Sequence, residues 1–186
     1  MFSIYGVLSN LFLGFGLYNL LFLFLGFTGF RKNNFYREFD KSAIKTLLLL
    51  GLTYLAFYGY DTLLIFIDAD TTNKTTYLQR LNGPYAFALF AQQFLYIIFS
   101  LAFLIPYVKR FFPLRLLFGL GLMLNFEKFT IIVTSLHRDY LPSSWTMYST
   151  LTGSIAMDWL LSMVFFVGLS FIPYFFGLRK QSVRNM

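Results

Sequence analysis

Cysteine is absent from this sequence, and histidine occurs once, as His137. A chain without cysteine has no disulfides, no thiolate-ligated iron–sulfur cluster and no catalytic thiol. A single histidine cannot provide both axial ligands of a bis-histidine haem. Any redox centre must therefore be a bound quinone or belong to another subunit, and we expect this chain to bind no cofactor or metal of its own.

Charged residues are scarce as well. They make up 12% of the 186 residues, while 58% are hydrophobic and 22% aromatic. A soluble domain of this length carries far more polar surface. Five apolar runs are each longer than the roughly 20 residues that cross a bilayer. These runs cover 3–29, 43–67, 85–107, 114–136 and 148–176.

The apolar runs are continuous rather than alternating, which is typical of membrane helices and not of barrel strands. In lipid the backbone must satisfy its hydrogen bonds internally, and a helix does so within each run. We read the first run as a helix rather than a cleaved signal, because it is long and lacks a small-residue cleavage pattern. The sequence thus predicts one all-α domain over 1–186, an integral membrane bundle of five transmembrane helices.

The net charge of +7 follows this topology rather than indicating a nucleic-acid partner. Three basic residues fall on the membrane side that holds the N-terminus: Lys74, Arg80 and Arg138. Eleven fall on the opposite, basic side, in loops 30–45 and 108–115 and in the tail: Arg31, Lys32, Arg37, Lys41, Lys45, Lys109, Arg110, Arg115, Arg179, Lys180 and Arg184. The positive-inside rule places the basic side in the cytoplasm or its organellar equivalent, next to anionic lipid head groups.

Polar residues inside the predicted spans share one depth. The ionisable ones lie roughly 9 to 15 Å from the N-terminal side, at 1.5 Å per helical residue: Asp61, Glu127, Lys128 and Asp158. Amide side chains extend this layer to the other helices: Asn10, Gln92, Gln93 and Asn125. The half of the bilayer near the basic side is expected to contain almost no polar side chains, apart from Asn19 and some hydroxyls.

This polar layer has two interpretations. An isolated charge at the centre of a membrane helix costs about 2.5–3.5 kcal/mol on insertion scales, so the four ionisable side chains should face inward and pair or be protonated. Lys128 is expected to pair with Asp61 or Asp158, which leaves at least one acid over as a proton carrier. All four are therefore candidates for a proton path. The alternative is a buried ion pair with amide hydrogen bonds that only fixes helix packing.

The segment after the fourth run holds His137, Arg138 and Asp139, and it ends near Trp145. Pro142 disfavours helix just before itself, so a connection is expected here. One interpretation is a capped loop with a surface ion pair. The other is a docking surface for an extramembrane subunit, or the mouth of a proton path, with His137 titrating near neutral pH.

Two glycine pairs, Gly14-Phe15-Gly16 and Gly119-Leu120-Gly121, look like fragments of a phosphate-binding loop. Both lie inside predicted membrane helices, with no strand before them. Small residues let membrane helices approach closely, so these pairs predict close helix packing.

Three stretches of the sequence carry a family resemblance. They are GPYAF at 83–87, FEKFTIIVTSLHRDYLPSSWTMY at 126–148, and the first run, which opens MFSIYG and continues to FLGFGL. These stretches resemble the NrfD/polysulfide reductase membrane-subunit family, and most closely its quinol-oxidising branch, the ActC-type subunit of alternative complex III. Members of that branch usually have Arg where Lys128 stands.

The resemblance covers nearly the whole chain but only the second half of the family protein. It implies the second four-helix bundle of the family protein plus its last helix as one peripheral helix. It also implies a complex that passes electrons from quinol to iron–sulfur clusters and haem in partner subunits on the outer side. It also implies a companion chain that supplies the first bundle and an outer-face iron–sulfur subunit. Glu127 matches the family segment, and Asp61 stands where relatives often have an acid.

The first half of the family protein has no counterpart in this sequence, which limits the functional residues that can be assigned by resemblance. The better-supported quinol pocket of this branch lies in the first bundle, so no quinol-binding residue is assigned here. A missing half implies a split gene, a companion chain, or a truncated paralogue with a structural role.

We therefore expect a membrane subunit of a respiratory quinol-oxidising complex that is not catalytic alone and has other subunits and lipids as partners, but no nucleic acid. Its expected location is the bacterial inner membrane, with the N-terminus outside and the C-terminus inside; the alternative is the mitochondrial inner membrane. The competing function is a non-catalytic scaffold for neighbouring subunits. A stand-alone transporter is disfavoured, since five helices without an inverted repeat do not match secondary transporters.

Overall fold

The structure of the chain is a computed structural model that describes residues 4–27, 33–67, 71–82, 86–124 and 145–184. These ranges form seven α-helices joined by turns, and they contain no strand. The helices are α1 (Ile4–Phe27), α2 (Asn34–Ile67), α3 (Thr71–Leu81), α4 (Ala86–Ala102), α5 (Pro106–Arg110), α6 (Phe112–Met123) and α7 (Trp145–Arg184). The prediction of an all-α fold is confirmed for this part of the chain.

Three helices are long and apolar enough to cross a membrane: α1, α2, and the segment Ala156–Arg179 of α7. Two shorter apolar helices accompany them, Ala91–Ala102 within α4 and Phe112–Met123. By length and composition the chain is thus a helical membrane protein. The prediction of five spans is not confirmed.

Two local features shorten the third and fourth predicted spans. The helix over 85–107 ends at Ala102, and Pro106 starts α5 as a separate short helix, because proline has no N–H to continue the hydrogen-bond ladder. The helix over 114–136 ends at Met123, because Leu124 takes an extended backbone with φ −69° and ψ 109°. The remainder of that predicted span lies outside the described residues.

Other helices are longer than their apolar runs. The α2 helix begins at Asn34 rather than at 43, and α7 continues from Trp145 to Arg184 rather than over 148–176. Hydropathy detects only the apolar part of a helix, so the charged first turns of α2 were assigned to a loop. The polar helix α3 was missed for the same reason.

The α1 helix lies at the centre of the described bundle, against α6 and α7, while α2 packs against α4 and α7. Phe12 and Phe15 of α1 are fully buried. Phe12 stacks on Tyr96 of α4 with ring centroids 4.8 Å apart, and Phe15 meets Phe166 of α7 edge-on at 5.4 Å. Offset and edge-to-face aromatic pairs of this kind add stability beyond the area they bury. The core of the bundle is thus largely aromatic.

The glycine pairs allow this close approach, as the sequence predicted. A Cβ added at Gly14 would overlap the Ser162 carbonyl of α7, and one at Gly16 would overlap the Met123 side chain of α6. A Cβ at Gly119 would overlap the Asn19 amide of α1. The prediction of close helix packing is therefore confirmed.

The α1, α4 and α7 helices run in one direction and α2 and α6 in the other, so the bundle has two distinct ends. At the end that we call the basic end, the end of α1 meets the start of α2, and Phe22 stacks on Tyr36 at 4.1 Å. The first turn of α6 lies at the same end, together with the charged side chains Arg37, Lys41, Lys45, Lys109 and Arg110. At the other end, which we call the N-terminal end, the start of α1 meets the end of α2 through Tyr5 and Asp61.

Candidate functional site

The most extensive polar network among the described residues surrounds Arg115. This residue is in the first turn of α6 and is only 4% exposed. Its Nη1 donates to Asp40 Oδ2 at 3.0 Å and its Nη2 to Asp40 Oδ1 at 2.5 Å. Its Nε donates to Asn19 Oδ1 at 2.7 Å. A planar guanidinium paired in this bidentate way fixes both partners in direction as well as distance.

Further contacts complete this network, which we call the Arg115 cluster (Tyr18, Asn19, Asp40 and Arg115). The Asn19 amide donates back to the Arg115 carbonyl at 3.2 Å, and the Tyr18 hydroxyl donates to Asp40 Oδ1 at 3.3 Å. The guanidinium lies 4.2 Å from the centroid of the Phe22 ring, a cation–π distance. One buried arginine thus ties α1, α2 and α6 together at the basic end.

The Arg115 cluster corrects two predictions from the sequence. Arg115 is not a loop charge, and Asp40 lies within α2 rather than in a connecting loop. The prediction that this half of the bundle contains almost no polar side chains is therefore wrong, because it buries a charged pair beside Asn19. A sequence signal was present for Arg115, which stands between leucines in the apolar run Leu114–Leu117. Asp40 gave no such signal, since Glu38 is a second acid in the same segment.

A second polar group lies at the N-terminal end, and we call it the hydroxyl cluster (Tyr5, Ser9, Tyr54, Asp61, Gln92 and Tyr96). The Tyr5 hydroxyl of α1 donates to an Asp61 carboxylate oxygen of α2. Deeper in the bundle, the Ser9 and Tyr96 hydroxyls are hydrogen-bonded at 2.8 Å, and Gln92 Nε2 donates to the Tyr96 hydroxyl at 3.3 Å.

Aromatic contacts join the two parts of the hydroxyl cluster. The Tyr54 ring lies 5.6 Å from the Tyr5 ring and 5.5 Å from the Tyr96 ring. Asp61 is exposed, whereas Tyr54 and Tyr96 are 4% and 1% exposed. Polar groups therefore extend from an accessible carboxylate into the centre of the bundle.

The predicted polar layer is only partly brought together. Asp61 and Gln92 belong to the hydroxyl cluster, but Asn10 is exposed on α1 and Asp158 is exposed on α7. Gln93 is half-buried, and its Oε1 is buried without a hydrogen-bond partner. Tyr5, Ser9, Tyr54 and Tyr96 are not among the predicted site residues, because the sequence has 13 tyrosines and no pattern that marks which hydroxyl groups are buried.

Several predicted site residues lie outside the described ranges: Asn125, Glu127, Lys128, His137, Arg138 and Asp139. Trp145 is the first residue of α7. Within the described ranges, no group of three or more His, Cys, Asp or Glu side chains could hold a metal ion.

The chain was compared with known protein families, curated proteins and solved structures. No protein-family model, curated protein or solved structure matches the chain. The class that the fold defines is therefore a helical membrane protein with two polar clusters, one at each end of its bundle.

Proposed function

We propose that this chain is a membrane subunit of a respiratory quinol-oxidising complex similar to alternative complex III. In this role it contributes to quinol-linked electron transfer and lines part of a proton path. The residues at 83–87 and 126–148 support the respiratory assignment through their resemblance to the NrfD/polysulfide reductase family.

The observation that carries the proton role is the hydroxyl cluster. A proton path needs an accessible acid or base that connects to exchangeable groups inside the membrane, and such ionisable groups are costly unless they serve a purpose. Asp61 is the accessible acid, and it accepts a hydrogen bond from Tyr5. The Tyr54 ring packs between the Tyr5 and Tyr96 rings, and the Tyr96 and Ser9 hydroxyls are hydrogen-bonded further inward. Glu127 and Lys128 are the next proposed members, from the same depth in the sequence.

The remaining assignments follow from this proposal. Quinol binds at the level of the complex, and iron–sulfur clusters and haem reside in partner subunits. A companion chain supplies the first bundle, and the segment from His137 to Trp145 docks the outer iron–sulfur subunit. The complex lies in a bacterial inner membrane with the basic end of this chain in the cytoplasm.

Substitution of Glu127 by glutamine in the assembled complex tests the proton role. The variant should lower quinol oxidation, or the proton transfer coupled to it, while the complex still assembles. Glu38→Gln is the matched control, because Glu38 pairs with Lys41 on the exposed surface of α2. Turnover and coupling that stay at the wild-type level in Glu127→Gln would rule out the proton role.

A second candidate function, a non-catalytic scaffold, is favoured by the Arg115 cluster. In that cluster a buried arginine and a buried aspartate join helices to one another. Purification of the complex distinguishes the two functions. A complete homologue with both bundles beside this chain would favour the scaffold, whereas a companion that supplies only the first bundle would favour the catalytic assembly.

A further inference from the structure

A groove opens at the basic end, between the ends of α1 and α5 and the first turns of α2 and α6. Its volume is about 110 Å³, which has room for several water-sized groups. Three basic side chains line it, Lys109, Arg110 and Arg115, and Phe27 and Phe112 form an apolar edge. A site of this size and lining fits a compact anion next to an apolar chain.

The groove carries positive charge that the described residues do not neutralise. The charge of Arg115 is balanced by Asp40, and three of its five N–H groups donate to Asp40 and Asn19. Two N–H groups of this buried guanidinium are left for another acceptor. Lys109 and Arg110 form no ion pair with any acid in the described part of the chain. An anion in the groove would therefore gain two unpaired cations.

The walls of the groove are held in place before anything binds. The Tyr36 ring stacks on Phe22 with an interplanar angle of 7°, and its hydroxyl donates to the Phe22 carbonyl. The Phe27 and Phe112 rings meet edge-on at 5.5 Å. A preformed pocket loses less entropy on binding than one that must be ordered.

We propose that this groove binds the phosphate head group of an anionic phospholipid. Lys109 and Arg110 neutralise the phosphate, and the acyl chains lie along the apolar edge. Phe27 is 75% exposed and Phe112 41% exposed, beside a helix of membrane length. A soluble anion would gain nothing from this apolar edge, whereas a lipid buries it. Basic pockets between membrane helices are a known form of head-group site. The proposal does not depend on the respiratory function.

Native mass spectrometry of the purified chain tests this, with equal amounts of phosphatidylglycerol and phosphatidylcholine added in detergent. The wild-type chain should retain phosphatidylglycerol preferentially. In the double variant Lys109→Gln/Arg110→Gln, retention should fall at least tenfold, because each basic side chain near an anionic surface contributes about fivefold. The matched control is Lys41→Gln/Lys45→Gln, which removes the same charge from another groove at the basic end. It should keep the bound lipid.

Three results would overturn the proposal. Equal losses in both double variants would show general surface attraction, and equal retention of both lipids would show no head-group selection. Displacement of the lipid by an equal concentration of inorganic phosphate would show a soluble-anion site instead. The charge-preserving variant Lys109→Arg/Arg110→Lys should retain the lipid, and it keeps the test valid if the glutamine variant unfolds. Phosphatidylglycerol should also raise the melting temperature of the wild-type chain more than phosphatidylcholine does.

Discussion

The Arg115 guanidinium and the Asp40 carboxylate form a bidentate ion pair inside the helical bundle, with Nη2 and Oδ1 2.5 Å apart. The side chains are only 5% and 13% exposed. A charge buried this deeply is costly to leave without its partner, so the two residues stabilise the bundle only together.

The first prediction concerns this pair. Asp40→Asn should lower the free energy of unfolding by about 3–5 kcal/mol, because it leaves the Arg115 charge buried and uncompensated. Thermal or denaturant unfolding in detergent measures the change. The variant Asp40→Leu/Arg115→Met removes both charges and should lie closer to wild type. Lys41→Ala is the control, since its pair with Glu38 is exposed and contributes about 1 kcal/mol at most. Equal effects of Asp40→Asn and Lys41→Ala would contradict the prediction.

The second prediction concerns helix packing at Gly119. In Gly119→Ala the new methyl group would overlap the Asn19 amide, so α1 and α6 must separate or Asn19 must release Arg115. Overpacking of this kind costs about 1–3 kcal/mol. Gly168→Ala is the control, because a Cβ added at Gly168 would have no neighbouring side chain or helix within 4 Å. A melting temperature that falls for Gly119→Ala and not for Gly168→Ala is the expected result. Similar melting temperatures for both variants would show that the two helices do not approach closely there.

The third prediction concerns the hydroxyl cluster. Tyr96→Phe keeps the ring that stacks on Phe12 but removes the hydroxyl that Ser9 and Gln92 contact. Stability should fall by about 1–2 kcal/mol. If the cluster carries protons, coupled proton transfer by the complex should fall as well. Tyr107→Phe is the control, since Tyr107 is 59% exposed. A loss of stability with full proton transfer would assign the cluster to packing alone.

The fourth prediction concerns topology, and the absence of native cysteine makes it simple to test. Single cysteines at Asn33 and Arg179 should react with an impermeant thiol reagent from one side of the membrane, and a cysteine at Asn82 from the other. The reason is that α2 runs without interruption from Asn34 to Ile67. Labelling intact cells or sealed vesicles of known orientation measures this. Reaction of Asn33→Cys and Asn82→Cys from the same side would show that α2 does not cross.

Helix formation and helix packing at the glycine pairs were predictable because they depend on local patterns. A continuous apolar run indicates a membrane helix, and glycines spaced within it indicate close approach. Helix ends were less predictable. The break at Pro106 and the extended Leu124 interrupt runs that hydropathy treats as continuous, and the polar first turns of α2 extend beyond its apolar run.

By itself, the sequence determined an all-helical membrane chain, without thiol chemistry and with its basic residues gathered toward one end. Tertiary structure alone decided which polar residues meet. Asp40 and Arg115 are separated by 75 positions, and Tyr5 and Asp61 by 56. Hydrophobicity is a property of each residue along the chain, whereas the pairing of a buried charge depends on the rotation and docking of two helices. For this reason the sequence gives the position of each polar residue along its helix, but it did not predict the partners, and it did not predict the buried pair of Asp40 and Arg115.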